Sequence, residues 1–328
     1  MDGDAIAGSG RAGLSIVVLG DPSSWHAGRL LASIASRGHR GAVVRWPELA
    51  AEIRADGGGG PAVGSAPSAA ERFFPAAIDE ADAVIVRSMP GGGLEEVIFR
   101  MDLLGRLAAR GTPVLNGPRA LEVAIDKYLS LSRLAAAGLP VPRTAVAQNP
   151  AAILAAWGSL SGNCVAKPLF GSQGRGLIRV MDRQAVDRLV ATAQDRGAEA
   201  TVTYLQEFVP HDGWDVRVLV VGERTFSIRR HAPAGEWRTN ISLGGRGEAF
   251  EPPAAWVALA VEAARVVGAE IAGVDLLPAS DGRLLVLEVN AVPGWRGLES
   301  ATGRNIADAV ICHLESRTVS RQSGRDDR

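Results

Sequence analysis

The stretch I-A-G-V-D-L-L-P-A-S-D-G-R-L-L-V-L-E-V-N, from Ile271 to Asn290, reads as two apolar strands folded about a turn at Pro278 to Gly282. Apart from the turn and Arg283 beside it, the polar side chains are Asp275, Glu288 and Asn290, out of pattern among apolar neighbours. Glu288 and Asn290 are two apart on one strand and face the same side. A register that sets Asp275 opposite Glu288 or Val286 brings it onto that face. Two carboxylates and an amide carbonyl are hard oxygen donors, the set that suits Mg²⁺ when phosphates complete its shell. The competing reading is a solvated sheet face with ordinary charges.

Moving towards the N-terminus, K-P-L-F-G-S-Q-G-R-G (167–176) lies between expected strands Asn163 to Pro168 and Leu177 to Met181. Gly171, Ser172, Gly174 and Gly176 let backbone N–H groups approach phosphate oxygens, and Lys167 can neutralise their charge. No Gly-Lys-Ser/Thr follows and no helix starts there, so this is not a P-loop. Leu19 to Ser24 lacks the G-x-G-x-x-G fingerprint, which disfavours a nicotinamide-dependent oxidoreductase. A basic strip spans Arg217, Arg224, Arg229, Arg230, Arg238 and Arg246 against only Glu223 and Glu236. Arg230 and Arg238, with Trp237, Thr239 and Asn240, suit forked hydrogen bonds to anionic oxygens; solvated strand faces are the plainer account.

The whole chain has 328 residues, 47% hydrophobic and 22% charged, enough for two or three domains of a globular protein. Net charge −1 argues against a duplex-DNA binder. Cys164 and Cys312 form neither a metal pattern nor a disulfide framework, which fits a reducing cytoplasm. The apolar run Ile16 to Leu19 is too short for a signal segment, and Thr144 to Ala166 is too polar to span a membrane. Among 35 basic residues only Lys127 and Lys167 are lysine, positions where a compact point charge has not given way to a flat fork.

Alternating strand and helix patterns over 1–115 predict an α/β domain with a parallel sheet, interrupted by a glycine-rich insertion near Gly57 to Ser68. A second unit, 116–203, opens with a helix over Leu121 to Ala137 and carries the glycine-rich loop. A third, 204–316, carries the hairpin and ends in a helix from Asn305 to about Glu315. The polar tail 317–328 is expected to be disordered.

Taken in order, D-K-Y-L-S-L-S-R-L-A-A-A-G-L-P-V-P-R-T (126–144), V-A-K-P-L-F-G-S-Q-G-R-G (165–176) and L-Q-E-F-V (205–209) resemble the RimK-like branch of the ATP-grasp superfamily. W-D-V-R-V (214–218), W-R-T-N (237–240), G-V-D-L-L (273–277) and L-E-V-N-A-V-P-G-W-R-G-L-E (287–299) continue the resemblance. It implies a two-lobed ATP-grasp fold behind a smaller N-terminal α/β domain. It places Lys127, Lys167 and the glycine-rich loop on ATP phosphates. Gln206, Glu207, Phe208 and Val209 then form the strand linking the lobes, where backbone groups read the adenine edge. Asp215, Arg238, Thr239 and Asn240 fall at further nucleotide contacts, and Arg230 and Arg238 at the reacting centre. Asp275, Glu288 and Asn290 match ligands for two Mg²⁺ ions, with Mn²⁺ as an alternative. Arg230 matches the first of a family arginine pair, whereas His231 departs from the second.

The implied reaction phosphorylates a carboxylate and lets an amine displace the phosphate, so no protein nucleophile is needed; positioning and charge neutralisation suffice. The resemblance further implies L-glutamate as the amine and a small-molecule or peptide carboxylate as acceptor. R-S-M-P-G-G (87–92), H-D-G-W-D-V-R (211–217) and A-V-P-G-W-R-G (291–297) resemble the relatives that glutamylate tetrahydromethanopterin. Trp214, Trp237 and Trp295 suit a flat acceptor, or ordinary packing. Alternatives are a ligase for another amine, as in lysine biosynthesis, and a nucleotide-binding regulatory module without turnover. A cytoplasmic homo-oligomer with no nucleic-acid or membrane partner completes the expectation.

Overall fold

The computed structural model describes residues 13–53, 71–169, 176–195 and 202–326, which fall into two compact units, 1–115 with 311–328, and 116–310. In chain order the first contains β1 (Ser15–Leu19), α1 (Trp25–Ser36), β2 (Arg40–Val44), β3 (Ala50–Ile53), β4 (Glu71–Phe74), α2 (Ala76–Asp79), β5 (Ala83–Val86), α3 (Leu94–Ala109) and β6 (Val114–Leu115). The order β2-β1-β5-β6 is parallel throughout, as the alternating pattern predicts. Strand β5 is buried at every position, as a parallel strand covered on both faces must be. Strands β3 and β4 form a separate antiparallel ribbon that the sequence reading lacks, because β3 is exposed throughout and carries no apolar alternation. The glycine-rich insertion lies outside the described residues.

The second unit begins with Asn116, whose buried amide is fully engaged. Its Nδ2 donates to the carbonyls of Ile271 and Ala291, both at 2.6 Å, and its Oδ1 accepts from the amides of Glu270 and Ile271. The single helix expected over Leu121 to Ala137 is two, α4 (Pro118–Ile125) and α5 (Lys127–Ala136). Asp126 breaks it: with φ −87° and ψ 103° it leaves the helical region, and its carboxylate caps α5 by accepting from Tyr128 N (2.8 Å) and Leu129 N (3.1 Å).

Next come β7 (Thr144–Ala147), α6 (Pro150–Ser159), β8 (Cys164–Lys167), β9 (Ile178–Val180), α7 (Arg183–Asp195) and β10 (Thr203–Glu207). These strands form an antiparallel sheet in the order β7-β10-β8-β9. Strand β10 sits inside this sheet, so the change of sheet follows Glu207 and not residue 203 as the sequence boundary had it.

Strands β11 (Trp214–Val221), β12 (Arg224–His231), β13 (Arg246–Ala249), β14 (Ile271–Pro278) and β15 (Leu284–Asn290) form a second antiparallel sheet, β13-β12-β11-β14-β15. Helix α8 (Ala254–Val267) buries Ala260, Ala263, Ala264 and Val267 and packs on β11, β14 and β15. The small side chains allow close helix–sheet approach. Helix α9 (Arg296–Thr302) follows, then α10 (Ile306–Asp326). Helix α10 corrects the expected disordered tail: residues 317–323 contain neither Pro nor Gly to stop the helix begun at Ile306. Glu315 fastens the helix by accepting from Arg37 and contacting His39 Nε2 at 2.8 Å.

In the β14–β15 hairpin Asp275 pairs opposite Glu288 and Gly273 opposite Asn290. This is one of the two registers that put Asp275 on the polar face. The register then slips between Asp275 and Leu276, because Leu276 pairs with Val286 and Leu287 is left over as a bulge.

Candidate functional site

The two sheets of the second unit border a cleft enclosing about 890 Å³, open solvent included. Lys127, Lys167, Gln206, Glu207, Phe208, Val209, Asp215, Arg230, Arg238, Thr239, Asn240, Asp275 and Glu288 all line it. Asn290 shares the hairpin face but is not among the lining residues. Gly171, Ser172 and Gly174, with Arg175, lie outside the described residues. Gly176 is described: its φ of +73° needs glycine, and a Cβ there would meet the Pro168 ring at 2.9 Å.

Lys167 ends β8, and its Nζ donates to Gln206 Oε1 at 2.6 Å. Burial pulls the ammonium down to about 8, against the opposing pull of Glu288 and with a further push from Lys127. Lys127 is the first residue of α5, and its Nζ donates to the Leu169 carbonyl at 3.3 Å. Burial lowers its pKa also, with Glu288 and Asp126 opposing. The chain's two lysines thus share one cleft, facing one carboxylate.

On the other sheet, Asp215, Arg217, Arg230 and Asp275 form a buried ionic lattice. Arg230 reaches Asp215 through Nε (2.7 Å) and Nη2 (2.5 Å), and Nη2 lies 3.0 Å from Asp275 Oδ2. Arg217 holds both Asp275 oxygens, at 2.7 and 2.8 Å, and Thr239 Oγ1 donates to Asp215 Oδ2 at 2.7 Å. Burial would raise the Asp275 pKa, but Arg217 and Arg230 bring it down to about 2. Arg238 is directed by Glu236, one of the two acids within the basic strip. Glu236 accepts from its own segment's Trp237 and Arg238 amides and from Arg238 Nη2 at 2.5 Å. Gly245 supports the Arg238–Asn240 segment, since a Cβ would sit 2.4 Å from the Thr239 carbonyl.

The expected metal donors fit a hard cation in part through capacity left over. Glu288 has no hydrogen-bond partner among the described residues, whereas Asn290 Oδ1 already accepts from Val292 N. Asp275 spends one lone pair per oxygen or more on arginine, and an ionised carboxylate offers about four sites. No cluster of three His, Cys, Asp or Glu stands ready for a metal among the described residues, so phosphate and water oxygens would complete the shell.

The apolar wall comprises Val165, Leu177, Leu277 and Leu287, none of them singled out in the sequence. Val165 was findable: it is two residues from Lys167 on one strand and shares its face. The Phe208 amide is bonded to Asn163 O, whereas the Val209 amide makes no backbone hydrogen bond among the described residues. Arg179 stacks on the Phe208 ring, and Trp237 meets that ring edge-on at 5.8 Å. Of the three tryptophans, only Trp237 lines the cleft. Trp214 stacks with Trp256 on the far face of the sheet and Trp295 is buried, so ordinary packing accounts for both.

Residues 124–314 match the RimK-like ATP-grasp domain. The tetrahydromethanopterin:alpha-L-glutamate ligase of Methanosarcina acetivorans is 34% identical over 268 residues, covering 73% of this chain and 81% of that protein. A probable alpha-L-glutamate ligase of Sodalis glossinidius is 36% identical over 247 residues, covering 74% of this chain and 80% of that protein. The ATP-grasp ligase PsnB, solved with minimal precursor, Mg and ADP, superposes with a TM-score of 0.69 at 25% identity, covering 93% of this chain and 97% of that one.

Proposed function

Because the chain belongs to the RimK-like ATP-grasp family and is an ATP-dependent ligase of a carboxylate with an amine, we propose that it joins L-glutamate to a small-molecule or peptide carboxylate through an acyl phosphate. The tetrahydromethanopterin-type cofactor is one acceptor this reading includes. The observation that carries it is the convergence of both lysines, the Arg238–Asn240 segment and the Asp275/Glu288 hairpin on one cleft.

In this reading the adenine lies against Val165, Leu177, Leu277 and Leu287. Its edge is read by the Glu207 carbonyl and the Val209 amide, which flank the Phe208 amide already committed to Asn163 O. Lys127, Lys167 and Arg238 hold the phosphates. Asp275, Glu288 and Asn290 would hold Mg²⁺, two ions in our reading with Mn²⁺ an alternative, and bound there it would supply countercharge for the phosphoryl group in transfer. The lattice holds Arg230 still, so its remaining Nη1 donors are presented to the cleft without reorganisation. No helix among the described residues is long and apolar enough to cross a membrane. A cytoplasmic homo-oligomer is part of the proposal.

The test is ADP release with L-glutamate and pools of candidate carboxylates, followed by mass analysis of the product. Glutamate's added mass is expected; the mass of another amino acid would move the assignment to a different amine. ATP binding with no ADP release across a broad panel would favour the regulatory module.

A further inference from the structure

Gln206 stands next to the residues that would read adenine, yet its side chain is turned away from a solvent-like role. It is buried at 2% exposure in an inner strand of its sheet. Its Oε1 accepts from Lys167 Nζ at 2.6 Å, while its Nε2 donates to Thr144 Oγ1 at 3.2 Å and approaches Tyr204 OH at 3.4 Å. Thr144 Oγ1 in turn donates its own proton to the Pro142 carbonyl at 3.1 Å, which leaves its lone pairs for the amide. The ammonium can only donate, so Lys167 fixes which end of the Gln206 amide is oxygen, and the two hydroxyls receive the opposite end. Turning the Gln206 amide over would set its N–H groups against the donor-only ammonium. The partners follow from the fold: Thr144 pairs opposite Gln206 in β7, Tyr204 is two residues back on the same face, and Lys167 stands opposite Tyr204 in β8.

We propose that Gln206 is a positioning residue that aims the Lys167 ammonium at the nucleotide's phosphates, with Thr144 and Tyr204 locking the orientation of its amide. The proposal rests on the reading of Lys167 as a phosphate contact. A neutral amide is the right chemistry for the task. It fixes an ammonium in space by one strong hydrogen bond and leaves the positive charge for the phosphate, whereas a carboxylate at 206 would neutralise it.

The experiment compares ATP and adenosine binding by calorimetry in the full chain, for wild type, Gln206→Leu, Thr144→Val, Lys167→Met and the Gln206→Leu/Lys167→Met pair. Gln206→Leu is expected to weaken ATP about tenfold and leave adenosine unchanged, because only the phosphates feel Lys167. Thr144→Val, nearly isosteric, is expected to act in the same direction more weakly. In the Lys167→Met background Gln206→Leu should add nothing. Equal weakening of ATP and adenosine, or a full additional loss in the double variant, would overturn the proposal and make Gln206 a structural residue of the strand. Normal ATP binding by Lys167→Met would instead overturn the phosphate reading of Lys167, and the proposal with it.

Discussion

Arg230 and Asp215 are joined at two points, Nε to Oδ1 and Nη2 to Oδ2, with each side chain only 4% exposed. They pair directly opposite one another on β11 and β12. The geometry makes Asp215 a strut for Arg230 before it is anything else. Asp215→Asn leaves a buried guanidinium short of its countercharge, and breaking such a pair costs about 3–5 kcal/mol. A lower urea midpoint with an unchanged denaturant slope is the expected result; an unaltered midpoint would contradict the strut.

Glu288 is the opposite case. Its side chain makes no hydrogen bond among the described residues, and it acts on Lys127 and Lys167 only through unpaired attraction, so the hairpin's ladder does not depend on its carboxylate. Glu288→Gln is expected to keep the wild-type unfolding free energy, read from urea denaturation, within about 0.5 kcal/mol. Mg-dependent ADP release should fall by about a hundredfold or more. Full turnover in this variant would remove Glu288 from the metal assignment.

The Lys167 ammonium, held down to about 8 by burial with Glu288 opposing, gives the enzyme a pH signature. The protonated form attracts phosphate, so ATP capture is complete below that value and weakens as pH rises through it, by about tenfold per unit at the limit. Bound phosphate raises the pKa, so the fall should appear in kcat/KM for ATP and reach kcat only at higher pH. Lys167→Arg keeps its charge across the range and should flatten the profile. Its kcat should also fall, because a planar fork does not reproduce the ammonium's position. A profile unchanged by Lys167→Arg would separate the pH effect from this lysine.

Asp126 couples a helix terminus to the site. Asp126→Ala removes the side-chain cap of α5 and should cost about 1 kcal/mol in stability. Lys127 is the first residue of that helix, so the KM for ATP should rise while kcat changes little. Asp126→Ser, which can still cap, should restore the KM.

Much of this was legible in the chain because strand periodicity is simple. Two residues on one strand share a face, so Glu288 and Asn290 could be placed together without coordinates, and Asp275 required only the register. The loss of lysine everywhere but positions 127 and 167 marked two residues, the family resemblance implied phosphate contacts for both, and both line that cleft. Other features depended on pairing between distant segments. The sequence contains nothing local that ties Asp215 to Arg230, Gln206 to Lys167, or Asn116 to the carbonyls of Ile271 and Ala291. Strand β10 was misplaced across a domain boundary because its partners precede it by tens of residues, and propensity does not report partnership. The break at Asp126 was present as a capping residue, but an apolar pattern continuing on both sides concealed it.

The one-residue slip at Leu287 gives the hairpin two different linings on a single surface. Strict alternation would send Leu287 and Glu288 to opposite faces; with the slip, both border the cleft. On one side of the slip the strand offers oxygen, and on the other hydrocarbon: Leu287 joins Leu277, Leu285 and Val209 in a dry cluster. The boundary between a wet and a dry compartment is thus set within one peptide unit. A deletion of Leu287 would restore a regular ladder, a gain by the rules of sheet geometry, and would erase that boundary.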